Sequence, residues 1–265
     1  MRANDRVDFL IVGTQKGGTS ALAAFLGQHP QIFVPQIKEA HFFDYSSAYL
    51  NGAANSPRYA AYHQLFADAR PDQLWGEATP SYMFLPFVAD RIHDYNPDLK
   101  LIFMLRDPVQ RAFSHYRMQR SRGWERWPFT IAAAIEPVRI RLLAGDPDRK
   151  RSPLRRHSYL SRGFYAAQLE RFLDQFPRDN CCFVKSEELL RDHDQVLRRL
   201  FTFVGVDPDF TVAPARVFVG PRGELNATLA RILRLIYRRD RRRLERLTGM
   251  DFSEWDRAAP NNVAG

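Results

Sequence analysis

Alternating apolar strands and amphipathic helices predict an α/β fold, a P-loop-like parallel β-sheet flanked by helices on both faces. Three stretches carry that expectation. Phe9-Leu10-Ile11-Val12 and Leu101-Ile102-Phe103-Met104-Leu105 are short, continuous apolar runs, as strands buried on both sheet faces require. Cys181-Cys182-Phe183-Val184 is a third. At 265 residues the chain is long enough to bury a full core. It has no internal repeat, low-complexity tract or linker, so residues 1–265 are read as one domain.

The first strand stops at Gly13. Thr14-Gln15-Lys16-Gly17-Gly18-Thr19-Ser20 then joins permissive glycines, hydroxyls and a lysine, and residues 21–26 continue as helix formers. Strand, glycine-rich turn and helix start together form an anion site, because unpaired N–H groups and the positive helix end point into the turn. Residues 31–35 read as a brief extended segment, and 46–57 as loop. Residues 38–44, KEAHFFD, mix charges and aromatics without a helical stripe. Helical spacing covers 59–69 and 86–95, with a strand at Leu74-Trp75-Gly76 between them.

The strand at 100–105 delivers Arg106-Asp107-Pro108 to a turn, with proline placed to open a helix over 109–122. Between 124 and 156 the signal weakens: 129–135 has a helical pattern, whereas Gly145-Asp146-Pro147-Asp148 and the basic cluster near Lys150 read as an exposed excursion. A helix over 164–176 presents Leu169, Phe172, Leu173 and Phe176 on one face; another covers 194–204, stopped by Gly205. Residues 217–223 are loop. The last helix, 226–247, is expected to turn Leu229, Ile232, Leu233 and Ile236 inward and the arginines of 231–246 outward.

The net charge of +9 and the pI near 9.8 come almost wholly from arginine, since the lysines are Lys16, Lys38, Lys100, Lys150 and Lys185. This balance favours anionic partners of several kinds without choosing among them. Nucleic acid is not expected, because no interleaved aromatics accompany the arginines. No apolar run is long enough to span a bilayer, and nothing resembling a signal peptide follows MRANDR, so a soluble, cytoplasmic protein is expected. Cys181 and Cys182 are adjacent in an apolar run, which offers neither a disulfide framework nor a zinc site. The oligomeric state is not specified by the sequence.

The loop departs from an ordinary nucleotide loop. With Gly13 and Gly18 on the two Walker glycines, Thr19 stands where the lysine should be, Ser20 follows, and the lysine has moved to Lys16. At the end of the central strand, Arg106 offers a guanidinium able to bind phosphate bidentately, and Ser114 adds a hydroxyl two helical turns on. In KEAHFFD, an extended chain would set Glu39 and His41 on one face, so that His41 orients or tunes the carboxylate, with Asp44 beyond. A surface ion pair between Lys38 and Glu39 is the other account of that segment. Thr79-Pro80-Ser81-Tyr82 either touches a substrate or forms a tight turn. Arg162-Gly163 and Gly220-Pro221-Arg222-Gly223 either close on a ligand or are solvated turns.

The stretch TQKGGTSAL, then KEAHFFD, then the spacing R-x-P-x-x-R-x-x-S-x-Y from Arg106 to Tyr116 resemble the sulfotransferases that use 3′-phosphoadenosine 5′-phosphosulfate (PAPS). The likeness is greatest to the heparan-sulfate-type branch and its bacterial relatives, and it implies the sulfotransferase fold. On that resemblance, N–H groups from Gly17, Gly18, Thr19 and Ser20 hold the 5′-phosphosulfate, and Lys16 meets the charge on the leaving phosphate. Arg106 and Ser114 bind the 3′-phosphate, with Arg222 the nearest match to a late basic loop that joins them. Glu39 is the catalytic base, supported by His41 and Asp44. No metal is required. Where relatives often carry a lysine this chain has Ala78, leaving Lys38 or an arginine to substitute. The acceptor is a hydroxyl or amino group of a carbohydrate, lipid or small metabolite. Two rival readings are a nucleotide-dependent kinase and a non-catalytic arginine-rich protein binding RNA or membranes.

Overall fold

In a computed structural model, the structure describes residues 6–37, 39–46, 59–143, 152–215 and 225–257. In chain order the elements begin β1 (Phe9–Gly13), α1 (Thr19–Leu26), β2 (Ile32–Phe33), α2 (Ala60–His63), β3 (Leu74–Ala78), α3 (Val88–Tyr95), β4 (Lys100–Leu105) and α4 (Pro108–Ser121). They continue with α5 (Phe129–Ala134), α6 (Glu136–Leu143), α7 (Pro153–Arg156), α8 (Tyr165–Leu173), β5 (Cys181–Lys185), α9 (Ser186–Arg191), α10 (His193–Val204), α11 (Ala227–Thr248) and α12 (Glu254–Arg257). The chain groups into two compact units, Met1–Arg106 with Arg171–Phe218 and Asp107–Glu170 with Val219–Gly265.

The first unit holds the sheet, in the order β2-β3-β1-β4-β5. Every pair is parallel: Phe9 stands opposite Gly76 on one side and Lys100 on the other, and Leu101 opposite Cys181. The continuous apolar runs therefore occupy the middle of the sheet, where both faces are covered. Ile11, Ile102, Met104 and Val184 face a core shared with Leu22 and Phe25 of α1 and Leu197, Leu200 and Phe201 of α10. Phe103, one residue out of phase, packs edge-on against Phe172 from α8 at 5.3 Å. Cys181 and Cys182 are unbridged strand residues. An aromatic cluster anchors the segment after β2: Phe42 stacks on Tyr62 at 4.5 Å, and Phe43 meets Tyr82 edge-on and Tyr95 at a tilt. The helical spacing at 59–69 resolves into α2 and a tighter turn at Gln64–Phe66.

In the second unit, α4 starts as the sequence leads one to expect. Pro108 opens it, and the Asp107 carboxylate accepts hydrogen bonds from the N–H groups of Val109 at 2.8 Å and Gln110 at 3.4 Å. Val109, Ala112, Tyr116, Phe129, Ala132, Tyr159, Leu233 and Tyr237 share one core. The expected exposed excursion around 145–150 lies outside the described residues; α6 precedes it and α7 follows it in the chain, and Arg155 of α7 is buried. Buried Glu125 ties α6 down: an acid taken out of water needs a cation, and Arg139 of α6 supplies a forked ion pair. Residues 144–151 lie outside the described residues.

The last helix has a different phase from the one expected. Leu233 is buried and Leu229 half-buried, but Ile232 and Ile236 are exposed. The buried stripe is instead Ala230, Leu233, Tyr237, Leu244 and Thr248. Those positions recur at helical intervals, and Ala230, Leu233 and Tyr237 pack into the core of this unit.

Candidate active site

In a parallel sheet all strands end at one edge, and here that edge gathers the polar loops that follow β1, β3, β4 and β5. After β1 the chain forms a tight turn, with Gly17 N–H donating to the Thr14 carbonyl at 2.9 Å and Thr14 N–H to the Met104 carbonyl at 2.6 Å. A Cβ on Gly17 would lie 2.8 Å from the Thr14 methyl and 2.9 Å from the Met104 carbonyl oxygen, so only glycine lets the loop sit against β4. Gly18, at φ 97°, caps α1 without any side-chain cap bond. The Ala21 N–H donates to the Gly18 carbonyl at 3.0 Å, which leaves the earlier N–H groups of the helix start, at Thr19 and Ser20, as donors for an anion. Arg106, directly after β4, donates from Nη1 to the Lys16 carbonyl at 3.0 Å. Ser186, directly after β5, donates to the Gly17 carbonyl. The loop is thus fastened from two neighbouring strand ends.

The second part of the site is the segment after β2. Glu39 Oε2 lies 3.3 Å from His41 Nε2, and His41 Nδ1 lies 2.9 Å from Asp44 Oδ2. Asp44 is fully buried and also accepts a hydrogen bond from Ser81 Oγ at 2.6 Å. Burial pulls the His41 imidazole down, but the hydrogen bonds and charges of Asp44 and Glu39 outweigh it and raise the pKa to about 9. The imidazolium therefore bridges two carboxylates. The extended chain expected here is not what brings them together. Glu39 and His41 both adopt left-handed backbone, at φ 62° and 52°, and Lys16 does so at 69°. Among the described residues these are the non-glycine positions with positive φ, and each is a candidate for the chemistry.

Beneath the segment lies Glu77, 2% exposed near the end of β3. It accepts hydrogen bonds from the Thr79 hydroxyl, from Tyr62 OH at 3.3 Å and from the backbone N–H of Ala40. Burial raises its pKa to about 7 against those hydrogen bonds. Thr79 Oγ1 in turn accepts from His41 N–H at 3.3 Å, and Tyr82 OH accepts from Phe42 N–H at 3.0 Å. Of the two readings of the 79–82 stretch, the turn is present, since Tyr82 N–H donates to the Thr79 carbonyl at 3.1 Å, and it holds the Glu39 segment by its backbone. Glu39 and Glu77 open onto a cleft of about 320 Å³, whose other walls include Ser20, Ala23, Val34 and Ile37.

Comparison with known proteins bears on this arrangement directly. Residues 6–211 match the sulfotransferase domain. The chain belongs to that family. A crystal structure of a sulfotransferase from Alicyclobacillus acidocaldarius superposes with a TM-score of 0.77 at 36% identity, covering 94% of this chain and 98% of the other. The human heparan sulfate glucosamine 3-O-sulfotransferase 6 is 32% identical over 92% of this chain and 72% of its own length. The Mus musculus heparan sulfate glucosamine 3-O-sulfotransferase 3B1 is also 32% identical, over 93% of this chain. The chain spans 64% of that second relative's length. This sulfotransferase is therefore an enzyme of a family whose reaction is PAPS-dependent sulfuryl transfer, and the kinase reading is not favoured.

The remaining sequence-predicted positions fall variously in the sulfotransferase. Ser114 is half-buried on α4. Ala78 is buried at the end of β3 and lines the cleft beside Glu39 and Glu77, where relatives were expected to carry lysine. Lys38 and Arg222 lie outside the described residues. Arg162 is buried in the second unit, with Nε donating to Ser158 Oγ at 2.8 Å. Arg111 is wholly buried and donates to the Tyr159 carbonyl. Glu77 and Ser186 carry site functions that sequence reasoning did not assign. Ser186 had a signal in its place directly after a buried strand, whereas Glu77 had none beyond its neighbourhood. Among the described residues no cluster of metal-ligating side chains occurs.

Proposed function

We propose that this chain transfers a sulfuryl group from PAPS to a hydroxyl group of a glycan, with Glu39 as general base. The Glu39–His41–Asp44 relay carries the reading: a carboxylate on the cleft, held by an imidazolium 3.3 Å away that is itself fixed by a buried acid. The loop fits the co-substrate, because the cradle that a Cβ on Gly17 would fill and the uncapped start of α1 together suit a bound phosphate group. When bound, PAPS supplies the sulfuryl group on a phosphate that departs readily. In this scheme the N–H groups at Gly17, Gly18, Thr19 and Ser20 hold the 5′ end and Lys16 neutralises the charge left on its phosphate, while the 3′-phosphate roles of Arg106, Ser114 and Arg222 rest on the resemblance of their sequence motifs. Glu39 accepts the proton of the acceptor hydroxyl, and His41 keeps the carboxylate ionised and oriented. No step calls for a metal.

A glycan acceptor is supported by likeness to the heparan sulfate glucosamine 3-O-sulfotransferases. A second reading, a less polar acceptor such as a lipid or small metabolite, is favoured by the apolar cleft walls of Ala23, Ala24, Val34, Pro35 and Ile37. A panel of glycan, lipid and small-molecule acceptors with radiolabelled PAPS separates the two.

The catalytic assignment is tested by Glu39→Gln. Transfer of label is expected to fall by about a thousandfold or more, within the range for loss of a general base and its charge. Thermal stabilisation by 3′,5′-bisphosphoadenosine should be retained. Loss of that stabilisation would sink the assignment and make Glu39 part of the nucleotide site.

A further inference from the structure

The outward face of α11 belongs to none of the chemistry above, and it combines two features that water alone does not reward. Ile232, Leu235 and Ile236 are 50%, 64% and 47% exposed, forming an aliphatic patch on the first half of the helix. Arg231, Arg238, Arg239, Arg242 and Arg246 are exposed beside and beyond it. At 3.6 residues per turn these positions share the side opposite the buried stripe, along a 22-residue helix about 33 Å long.

Nearby acids are committed elsewhere. Glu245 and Asp256 pair with Arg241 at 2.5 and 2.8 Å, Glu170 pairs with Arg243, and Asp240 accepts the N–H of Ala166 at 3.3 Å. Among the described residues the five outward arginines have no acidic partner.

We propose that this face of α11 docks the protein on an anionic phospholipid surface, with Ile232, Leu235 and Ile236 entering the headgroup region and the flanking arginines pairing with lipid phosphates and carboxylates. Such a surface satisfies both features at once, since it buries aliphatic area and neutralises cations in one plane. Each arginine near an anionic surface contributes about fivefold in partitioning. Nucleic acid would neutralise the arginines but leave the aliphatics in water, and the outward face offers no aromatic ring for base stacking. A second copy of the chain would bury the aliphatics but set five guanidinium groups against five more.

The test is sedimentation of the full chain with vesicles of phosphatidylcholine alone and of phosphatidylcholine containing about one-third phosphatidylserine. Binding is expected to the mixed vesicles only, weakening by about tenfold or more as ionic strength rises from roughly 0.05 to 0.5 M. The variant carrying Arg238→Glu, Arg239→Glu and Arg242→Glu should lose at least about tenfold in binding. The variant carrying Ile232→Ser, Leu235→Ser and Ile236→Ser should do the same, with unchanged circular dichroism in both. The emission of Leu235→Trp should move to the blue on mixed vesicles and not on neutral ones. Equal binding to the two vesicle types, no binding, or full retention by the serine variant would overturn the proposal. So would tight binding of an RNA oligonucleotide that the serine variant preserves, or a dimer in light scattering that the serine variant dissolves.

Discussion

His41 is charged because of its neighbours and useful because of that charge. Burial opposes the imidazolium, yet Asp44 and Glu39 raise its pKa to about 9, so the bridge between the two carboxylates persists through the neutral range. Sulfuryl transfer is expected to fall as pH rises through about 9, where the imidazole loses its proton and its hold on Glu39. In Asp44→Asn that alkaline limb should move to lower pH, with the nucleotide KM little changed. An unmoved limb would mean that a different group sets it. The three residues were legible in the sequence as a motif, while their conformation was not: left-handed backbone at Glu39 and His41, rather than strand alternation, turns them toward each other. Glu77 was illegible as an anchor because its role depends on Tyr62, fifteen positions away, and on a backbone N–H at Ala40.

The loop between β1 and α1 works as an element because two neighbouring strand ends hold it. Its glycines were legible as a phosphate turn, but the Arg106 bond to the Lys16 carbonyl and the Ser186 bond to the Gly17 carbonyl are tertiary and left no periodic trace. Gly17→Ala is expected to destabilise the protein by about 1–3 kcal/mol, as other overpacked sites do, and to weaken binding of 3′,5′-bisphosphoadenosine. Urea denaturation and calorimetric titration check the two effects, and wild-type values for both would refute the close approach to Met104. For α11 the sequence carried the existence and extent of the helix, yet its phase followed Ala230, Tyr237 and Thr248 rather than the most hydrophobic side chains.

At the scale of the whole molecule, the pH dependence of stability follows from three shifted groups. Glu125 is burdened by burial but held down to about 2 by Arg139, the Trp127 N–H and Tyr159, so its contribution is complete above 4.5 and fades as pH falls through 2. Glu77 is raised by burial to about 7; its contribution is complete below 4.5 and fades as pH rises through 7. That of His41 is complete below 6.5 and fades through about 9. Stability should therefore decline toward alkaline pH. Urea titrations should find wild type losing ground to Glu77→Gln between pH 4.5 and 7, and a constant gap would contradict the raised carboxyl. The sheet order and the parallel pairing were legible in part, since buried runs specify central strands but not their neighbours. The left-handed residues Lys16 and Glu39 bring a last consequence. A non-glycine residue held there costs about 1–2 kcal/mol, a cost that asparagine bears more easily. Replacing Lys16 with asparagine, which leaves the Glu39–His41 pair in place, should raise the melting temperature by a few degrees and silence the enzyme. Heat tolerance alone would favour asparagine at such a position, so the residues found there answer to the chemistry of the site rather than to the lifetime of the fold.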